Sequence, residues 1–528
     1  MTIRLGWFIY AWMGRRAQAL MAVMLCLCTV GCATASIEAV PNAVSQTLKA
    51  GPDAALTKIS TALLAPLDAG VSRVYPLQSG LEALAARLAL IELAQSSVDI
   101  QVYIWRNDES GRGLAAALWL AASRGVRVRL LLDDWGAGLP DAMLVQLDQH
   151  PNIDVRLFNP LAWRHARWLS ALLNFSQANR RMHSKAMVAD GQMSIVGGRN
   201  LGDEYFERRT ELEFADLDLL AAGPVVAEVA ASLDAYWNST WAAPIGHLAA
   251  APPPQALQAL QAAQVDIGVA WDSAYWQRVR DTAFAQKLRS GDLRWFAGKA
   301  QALADPPDKL MQEIGPQSLN TLQALLSNAV GSVSQEVILI SPYFVPGVNG
   351  VAMLRRLREQ GVRVQVISNS LAATDVPAVH SGYANYRKAL LEMGVALYEV
   401  RADAPRGSGW RQLVGSAGSS RVSLHAKTFI FDRRYLFVGS LNLDLRSVRL
   451  NNEIGLVIDN PALAQAMVKG LQQQLPESSY QVKLQDGHLL WSSEHGGKTE
   501  QWTQEPQSPW WLRLGVWLMS LLPLESQL

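Results

Sequence analysis

The sequence predicts an α/β protein built from two pseudo-symmetric domains, each a mostly parallel mixed sheet flanked by helices. Strand-like and helix-like segments alternate along the chain, and the same order of segments occurs twice. In addition, 528 residues exceed the length that one hydrophobic core usually serves. Strands that alternate with helices are typical of crossover connections, which place strands in parallel.

The composition limits the class of protein. Half of the residues are apolar, 18% are charged, and 47 basic residues nearly balance 46 acidic ones to a net charge of +1. This balance excludes a disordered chain and a tail dedicated to binding polyanions. All three cysteines lie within the first 32 residues, so the body has neither a disulfide framework nor a cysteine zinc site.

Residues 1–32 are predicted to be a signal peptide. The apolar stretch 17–31 follows two arginines and is too short to span a bilayer comfortably. It ends in Thr-Val-Gly-Cys-Ala, which resembles a lipobox in which Cys32 would be acylated, although Thr29 stands where that pattern usually has Leu. A plain signal anchor is the alternative. Both interpretations place the body outside the cytoplasm and on a membrane, in a bacterial cell envelope.

The body divides into predicted segments. Residues 33–75 are expected to be a linker and helical segment, and the first domain, 76–248, contains strand candidates at 99–105, 125–132 and 153–158. Residues 249–329, with two proline runs, are expected to be a linker with a helical insertion. The second domain, 330–490, repeats the pattern with strand candidates at 337–343, 361–367 and 395–400.

The tail, residues 491–528, contains an apolar segment of about 14 residues, which is too short to cross a membrane. Its tryptophans, Trp510, Trp511 and Trp517, favour a helix that lies at a membrane interface. Packing of this segment onto the second domain is the alternative.

Two matched motifs carry the chemistry. Each consists of His-x-Lys-x4-Asp followed by Gly and Asn at identical offsets. The pattern His-x-Lys-x4-Asp alone arises by chance with a probability of about 10⁻⁴ to 10⁻⁵ per starting position. Two such copies are therefore not accidental. The first copy contains His183, Lys185, Asp190 and Asn200, and the second contains His425, Lys427, Asp432 and Asn442.

The spacing predicts a shared pocket. In a strand, His and Lys two residues apart project from the same face. Two such halves facing each other across a pseudo-twofold axis would surround one pocket with two imidazoles, two ammonium groups and two carboxamides. This set of groups suits a phosphodiester.

Each imidazole also needs a carboxylate on its other ring nitrogen to fix its tautomer. In the second copy the candidate is Glu453. In the first copy, Glu211 follows His183 at the same spacing as Glu453 follows His425, but the local sequence pattern favours Asp216. The motif carboxylates Asp190 and Asp432 are expected to bond the adjacent turn rather than to transfer protons.

The doubled His-x-Lys-x4-Asp motif, together with residues 199–206 and 439–447, resembles the phospholipase D superfamily, and most closely the C-type members of its bacterial cardiolipin synthase branch. The resemblance covers about residues 80–490. It implies a phosphatidyltransferase that makes cardiolipin from phosphatidylglycerol and a second phospholipid, with phosphatidylethanolamine among the candidates. It implies no metal and no cofactor.

The resemblance also implies roles for the motif residues. His183 would be the nucleophile that forms a phosphohistidine, and His425 the acid and base. The two lysines, with Asn200 and Asn442, would bind the nonbridging oxygens.

Two weaker features have alternative interpretations. His380 could contact a lipid headgroup at the pocket mouth or lie on a surface helix. His165 belongs to a basic and aromatic cluster suited to an anionic interface, or to a solvated loop. The other members of that cluster are Trp163, Arg164, Arg167 and Trp168.

Alternative functions remain open from the sequence alone. A phospholipid hydrolase would use the same residues, because water and an alcohol can attack the same intermediate. A nuclease is less favoured because the net charge of +1 provides no basic track for nucleic acid. A decayed envelope lipoprotein is disfavoured because both motif copies are complete. The expected partners are phospholipids and a membrane surface, and an accessory protein is left open.

Overall fold

The computed structural model of the chain describes residues 43–161, 163–208, 212–250, 271–311, 326–328, 331, 333–404 and 421–522. The predicted signal peptide, Cys32 and Glu211 lie outside these residues. The chain divides into two units, one comprising Met1–Pro41 and Leu161–Asn179 and the other Asn42–Pro160 and Arg180–Leu528.

The first part of the chain alternates strands and helices, as the sequence predicts. Its strands are β1 (Val71–Leu77), β2 (Ser97–Val102), β3 (Trp105–Arg106), β4 (Arg127–Asp133), β5 (Ala137–Gly138), β6 (Ile153–Phe158), β7 (Arg181–Met182), β8 (Ala186–Ala189), β9 (Met193–Gly197), β10 (Glu213–Ala215), β11 (Asp218–Ala222) and β12 (Ala242–Pro244). Its helices are α1 (Ala55–Leu64), α2 (Gly80–Leu93), α3 (Glu109–Ser123), α4 (Asp141–Asp148), α5 (Arg167–Leu173), α6 (Phe175–Ala178), α7 (Pro224–Trp237) and α8 (Ile245–Leu248).

The second part repeats this order and adds a C-terminal extension. Its strands are β13 (Phe296–Ala304), β14 (Glu336–Ile340), β15 (Arg363–Asn369), β16 (Ala396–Val400), β17 (Val422–Leu424), β18 (Lys427–Phe431), β19 (Tyr435–Gly439), β20 (Asn451–Asn452), β21 (Ile454–Asp459), β22 (Ser479–Gln485), β23 (His488–His495) and β24 (Lys498–Trp502). Its helices are α9 (Ala274–Arg280), α10 (Ala283–Ser290), α11 (Gly347–Glu359), α12 (Pro377–Ala384), α13 (Arg387–Glu392), α14 (Leu445–Arg449), α15 (Pro461–Ser478) and α16 (Trp510–Ser520).

One continuous sheet of 18 strands contains both halves of the repeat. In the first half the neighbouring strands follow the order β12, β6, β4, β2, β8, β9, β11, β1. The second half reproduces this order as β22, β16, β15, β14, β18, β19, β21, β13. The prediction of an α/β fold with two pseudo-symmetric domains is confirmed.

The two halves meet at the antiparallel pair β1 and β13, the last strand of each half. Strand β13 falls within residues 249–329, for which the sequence predicts a linker and helical insertion. Gly298 allows β13 to lie close to β21, since a Cβ atom there would come within 2.4 Å of the carbonyl oxygen of Asp459. The seam between the halves therefore uses a segment with little sequence pattern of its own.

Within the 18-stranded sheet, parallel pairing is limited to three strands in each half, β2, β4 and β6, and β14, β15 and β16. Most other neighbours are antiparallel, because tight turns join the motif strands. Asp190 and Gly191 have φ angles of 53° and 61° in the turn between β8 and β9, and Asp432 and Arg433 both have a φ of 51° in the turn between β18 and β19. Such left-handed residues favour a tight hairpin turn over a helical crossover.

A hydrophobic cluster shared by the halves lies behind the motif strands. It includes Val188 of β8, Ile430 of β18, Val229 of α7 and Met467 of α15. Helices α7 and α15 both begin with proline at the first helical position, where its missing N–H costs nothing. The matched helices thus support the matched motif strands from the same side.

Beyond β22, the C-terminal extension has no counterpart in the described first half. Strands β22, β23 and β24 form an antiparallel meander, and α16 packs against α12. Within the described residues, every helix is too short or too polar to traverse a lipid bilayer.

The smaller unit contains a short 3₁₀ helix (Arg164–Ala166) followed by α5 and α6. Trp168, Leu172 and Phe175 expose most of their surfaces. The cluster predicted around His165 is therefore partly helical, and two of its aromatic side chains, Trp163 and Trp168, are exposed.

Candidate active site

Two short parallel strand pairs connect the halves and position the catalytic candidates. In one pair, Met182 of β7 lies opposite Asn452 of β20. In the other, Ala215 of β10 lies opposite Leu424 of β17. In a parallel pair the next residues of both strands are also neighbours, so His183 meets Glu453, and His425 meets Asp216.

The hydrogen bonds follow this register. The Nδ1 atom of His183 lies 3.0 and 2.9 Å from the two carboxylate oxygens of Glu453, and the Nδ1 atom of His425 lies 2.6 Å from Oδ2 of Asp216. The sequence predicts one carboxylate for each copy of the motif, paired with the histidine of the same copy. The structure exchanges the partners, because the strands that carry them pair across the halves.

The main chain reinforces both contacts. The backbone N–H of His183 donates to the carbonyl oxygen of Asn452 at 2.9 Å, and that of His425 donates to the carbonyl oxygen of Ala215 at 2.7 Å. Each imidazole is therefore held by the backbone and by a side chain of the opposite half.

The surroundings of the two carboxylates differ. The hydroxyl of Ser440 donates to Glu453. Gly198 holds the corresponding place in the first half, and a Cβ atom there would come within 2.3 Å of Asp216. The Glu453 carboxylate thus accepts from a side-chain hydroxyl, whereas the Asp216 carboxylate packs against bare backbone and accepts from the backbone N–H of Leu217 at 2.7 Å.

The two carboxylates also differ in pKa. Burial raises the pKa of Glu453 to about 7, and burial with Lys185 and Lys427 lowers the pKa of His183 well below its usual range. Burial opposes ionisation of Asp216 as well, but the charge and hydrogen bond of His425 hold its pKa at about 2. Burial and Lys427 lower the pKa of His425, whereas Asp216 acts in the opposite direction.

The motif lysines lie against their own histidines. The ammonium of Lys185 donates to the carbonyl oxygen of His183, and that of Lys427 donates to the carbonyl oxygen of His425. Both side chains are buried, and burial lowers the pKa of Lys185 to about 7 and also lowers that of Lys427. An incoming anion would favour the charged form of both.

The motif asparagines line the same cavity as the imidazoles. The Asn200 amide donates to the Tyr205 hydroxyl at 2.8 Å, and its oxygen accepts from the backbone of Ile104 at 3.1 Å. The side-chain oxygen of Asn442 is buried and makes no hydrogen bond to the described residues. The carboxamides of the two halves are therefore held differently.

A cavity of about 400 Å³ brings the two imidazoles and the two asparagines together. Sequence analysis missed several other lining residues. Two of them, Tyr103 and Tyr343, occupy comparable places soon after β2 and β14, and comparing the halves at those positions could have identified them. Others include Arg106, Tyr205, Phe214, Asp375, Asp444 and Arg446.

Aromatic rings enclose both imidazoles. The ring of Tyr103 lies 5.1 Å from that of His183, and the rings of Tyr205 and Phe214 lie 5.3 and 4.9 Å from that of His425. The Tyr343 hydroxyl donates to Asp375 at 2.8 Å. The cavity therefore combines apolar walls with a few charged groups.

The motif aspartates lie at the opposite ends of their strands from the imidazoles. Asp190 accepts hydrogen bonds from the backbone amides of Gln95, Ser96 and Ser97 at 2.7–3.1 Å. Asp432 accepts from the amides of residues 334–336 in the same manner. These contacts tie each hairpin turn to the chain entering β2 or β14.

His380 differs from both interpretations that the sequence allowed. Its side chain is only 3% exposed and lies within an ion network, 2.7 Å from Arg387 and 3.3 Å from Glu505. It therefore neither lies on a helix surface nor lines the cavity, whereas Val376 and Val379 nearby do line it. Within the described ranges, no three His, Cys, Asp or Glu side chains are grouped as metal ligands.

Comparison with known proteins gives a family match in both halves. The family model described as "Cardiolipin synthase, PLD-like domain" matches residues 88–237 and 324–475. The chain is 40% identical over 462 residues to cardiolipin synthase C of Escherichia coli K12, covering 86% of this chain and 96% of that protein. It is 26% identical to cardiolipin synthase B of Salmonella typhi, covering 76% and 80% of the two chains.

A solved structure shares the fold. The crystal structure of phosphatidylserine synthase from Haemophilus influenzae Rd KW20 superimposes with a TM-score of 0.51 at 17% identity. The superposition covers 77% of this chain and 87% of that one.

Proposed function

This chain belongs to the cardiolipin synthase family of the phospholipase D superfamily and is a phosphatidyltransferase, and we propose that it transfers a phosphatidyl group to phosphatidylglycerol or a related lipid through a phosphohistidine. The observation that carries the proposal is the pair of imidazoles on one cavity, each held by a buried carboxylate of the opposite half. The donor is phosphatidylglycerol or phosphatidylethanolamine.

The reaction consists of two displacements. In the first, the Nε2 lone pair of one imidazole attacks phosphorus, the bond from phosphorus to the leaving alcohol oxygen breaks, and the second imidazole gives that oxygen a proton. In the second, the acceptor hydroxyl loses its proton to the second imidazole and attacks phosphorus, and the nitrogen–phosphorus bond breaks. Protons and charges balance over the cycle.

The difference between the two pairs supports His183 as the nucleophile and His425 as the acid and base. Burial and Lys427 lower the pKa of His425, but the ionised carboxylate of Asp216 opposes this shift and favours a proton on the ring. Burial, together with Lys185 and Lys427, lowers the pKa of His183 and keeps its ring uncharged, and an uncharged ring has the lone pair that the attack requires.

The remaining motif residues would stabilise the charge of the transition state. Lys185 and Lys427 lie beside the two imidazoles, and Asn200 and Asn442 face the cavity. Donors that are fixed in a site with little water stabilise a developing phosphorane charge more strongly than water does. Arg446 adds a further cation to the cavity wall.

We further propose that the protein works in the cell envelope and is anchored through its N-terminus. The support is the sequence pattern at 17–33, with Cys32 as the acylation site. Globomycin sensitivity of processing, together with the mass of the mature N-terminus, tests this. An unmodified Cys32 in the mature protein would contradict the lipid anchor.

The test of the reaction uses the purified full chain in mixed micelles with phosphatidylglycerol, alone and with phosphatidylethanolamine, and mass spectrometry of the products. Cardiolipin is the expected product. Phosphatidic acid alone would show a hydrolase, and cleavage of added DNA without lipid products would show a nuclease.

Variants of the two histidines connect the products to the site. His183→Ala and His425→Ala are each expected to lower turnover by about 10³-fold or more, because each removes a group that the chemistry requires. His488→Ala, which changes an exposed histidine of β23, is the matched control. Substantial turnover in either active-site variant would contradict the two-imidazole mechanism.

A further inference from the structure

The C-terminal helix α16 presents a continuous apolar face to solvent. Successive residues of an α-helix are rotated by about 100° around the helix axis, so the exposed positions of residues 510–522 fall within an arc of about 140° around that axis. Every one of these positions carries a large apolar side chain: Trp510, Trp511, Leu514, Trp517, Leu518, Leu521 and Leu522. Contiguous apolar surface of this kind marks an interaction site.

The opposite face of α16 packs against α12, with Val516 buried. Helix α12 follows directly after Asp375 and Val376, and these two residues line the cavity together with Val379. The helix with the apolar face is therefore packed on a wall of the cavity that holds both imidazoles.

A buried ion network fixes the chain just before α16. Glu505 accepts a hydrogen bond from Arg387 and lies 3.3 Å from His380 of α12. Arg387 also forms an ion pair with Glu399 at 2.8 Å. Because burial makes these charges costly to separate, the approach to α16 is held firmly to the second domain.

Charge and length favour a lipid surface as the occupant of this face. Arg513 is the single charged residue of 510–522, and its guanidinium donates to the carbonyl oxygen of Ser508 at 3.0 Å. A helix of 11 residues cannot cross a bilayer, but tryptophan and leucine suit the boundary between headgroups and acyl chains. The substrates of the proposed function also reside in that layer.

We propose that α16 inserts its apolar face into the bilayer surface and thereby holds the α12 wall of the cavity against the lipid layer that contains the substrate. This inference rests on the proposed function, since it assigns α16 the task of delivering bilayer lipids to the cavity. Apolar burial, rather than charge, drives the insertion, so it persists in salt that screens exposed charges.

The first test separates docking from chemistry. Trp510→Gln, Trp511→Gln and Trp517→Gln are combined in the full chain, and Leu120→Gln, an exposed apolar site on α3, is the control. The triple variant is expected to lose about tenfold or more of its activity on phosphatidylglycerol in bilayer vesicles, since three interfacial anchors are removed. Its activity on short-chain phosphatidylglycerol dissolved as monomers stays within about twofold of the parent. Equal losses on both substrates, or no loss on vesicles, would overturn the proposal.

The second test locates the helix directly. Leu514→Cys carries a fluorophore in a full chain with Cys26→Ser, Cys28→Ser and Cys32→Ser, and Gln473→Cys on α15 is the matched exposed site. Nitroxide lipids in vesicles of phosphatidylglycerol and phosphatidylethanolamine are expected to quench the label at 514 and not at 473, at low and at high salt. Absence of quenching at 514 would overturn the proposal.

Other occupants of the face would give different results. A second copy would shield the label at 514 without lipid, and sedimentation would depend on protein concentration. The chain's own apolar segment, residues 17–31, would shield it in a monomer. Either result overturns the proposal. If every variant and the parent are inactive on monomeric lipid, the proposed function fails, while the quenching result still decides the docking.

Discussion

At the scale of single residues, the two imidazoles differ because of the groups behind them. Glu453 is one methylene longer than Asp216 and receives the Ser440 hydroxyl, whereas Asp216 packs on Gly198. Both carboxylates are buried, yet the pKa of one is raised and that of the other is lowered. The sequence is nearly symmetric at the motifs, but the site is not.

The His183–Glu453 pair predicts a pH dependence. Because the pKa of Glu453 is about 7 and that of His183 is lowered, the pair takes up a proton as the pH falls through about 7. A protonated Glu453 donates to Nδ1, which moves the ring proton to Nε2 and removes the attacking lone pair. We expect kcat/KM to fall on the acid side of about pH 7.

Glu453→Gln removes this titration. We expect kcat/KM at the pH optimum to decrease by about 10²-fold or more, because the tautomer of His183 is no longer fixed. We also expect the acid limb of the pH profile to move below pH 6.5. Pre-steady-state rates measured from pH 5 to 9 separate these effects. An unchanged acid limb in Glu453→Gln would show that another group controls it.

Asp432 predicts a contribution to stability rather than to chemistry. Asp432→Asn weakens hydrogen bonds to three backbone amides, and we expect it to lower the free energy of unfolding by about 1–2 kcal/mol at pH 7. Burial opposes ionisation of Asp432, but the hydrogen bonds from these amides lower its pKa from 3.8. The contribution of Asp432 to the free energy of unfolding is therefore present above pH 3.8 and is lost as the pH falls through the lowered pKa. Denaturant unfolding at pH 7 and pH 3 measures the difference.

Asp486→Asn is the matched control, since Asp486 is also a turn residue with positive φ but is exposed. Its stability should stay within about 0.5 kcal/mol of the parent. An Asp432→Asn variant that folds normally but loses turnover would instead assign this carboxylate to the reaction.

At the scale of elements, the short strands determine which residues meet. Strands β7, β10, β17 and β20 are two or three residues long, and no periodicity can be read from such lengths. The sequence could identify the histidines and both carboxylates, because a motif and a local pattern mark them. It could not identify their pairing, because pairing depends on the register between segments far apart in the chain.

The seam between the halves gives a prediction for β13. Gly298→Ala places a methyl group against the backbone of Asp459, and we expect it to lower the free energy of unfolding by about 1–3 kcal/mol. Gly515→Ala on α16 is the same chemical change in open space within a helix, and it should be neutral or stabilising by about 0.5–1 kcal/mol. Thermal unfolding measures both. Equal effects would show that β13 does not pack closely at the seam.

At the scale of the whole molecule, much of the fold follows from repetition in the sequence. The doubled strand and helix order predicts the two domains, because alternation fixes β2, β4 and β6 and their counterparts. The antiparallel strands are harder to predict, since β8 and β18 are short and buried, and the turn that follows β18 contains no glycine. The cavity residues outside the motifs come from loops and from short strands and helices, such as Arg106 of β3, Phe214 of β10 and Arg446 of α14, and such short segments show no period.

The shared sheet predicts that the halves remain together after a cut between them. A specific protease site inserted between Pro254 and Gln255 is expected to yield two fragments that coelute and keep most of the turnover. The physical reason is that the β1–β13 pair and both His–carboxylate pairs hold the halves. Size-exclusion chromatography with an activity assay tests this, and fragments that separate under native conditions would contradict it.

The exchange of carboxylates also bears on how such a protein can evolve. A lone half could recover its missing partner only by associating with an identical copy, and both pairs would then be alike, His with Asp or His with Glu. Fusion of two copies into one chain removes that constraint, because each copy can drift separately. A tandem gene can thus give the attacking imidazole and the proton-carrying imidazole different acidities. A symmetric homodimer cannot, because its two pairs are identical.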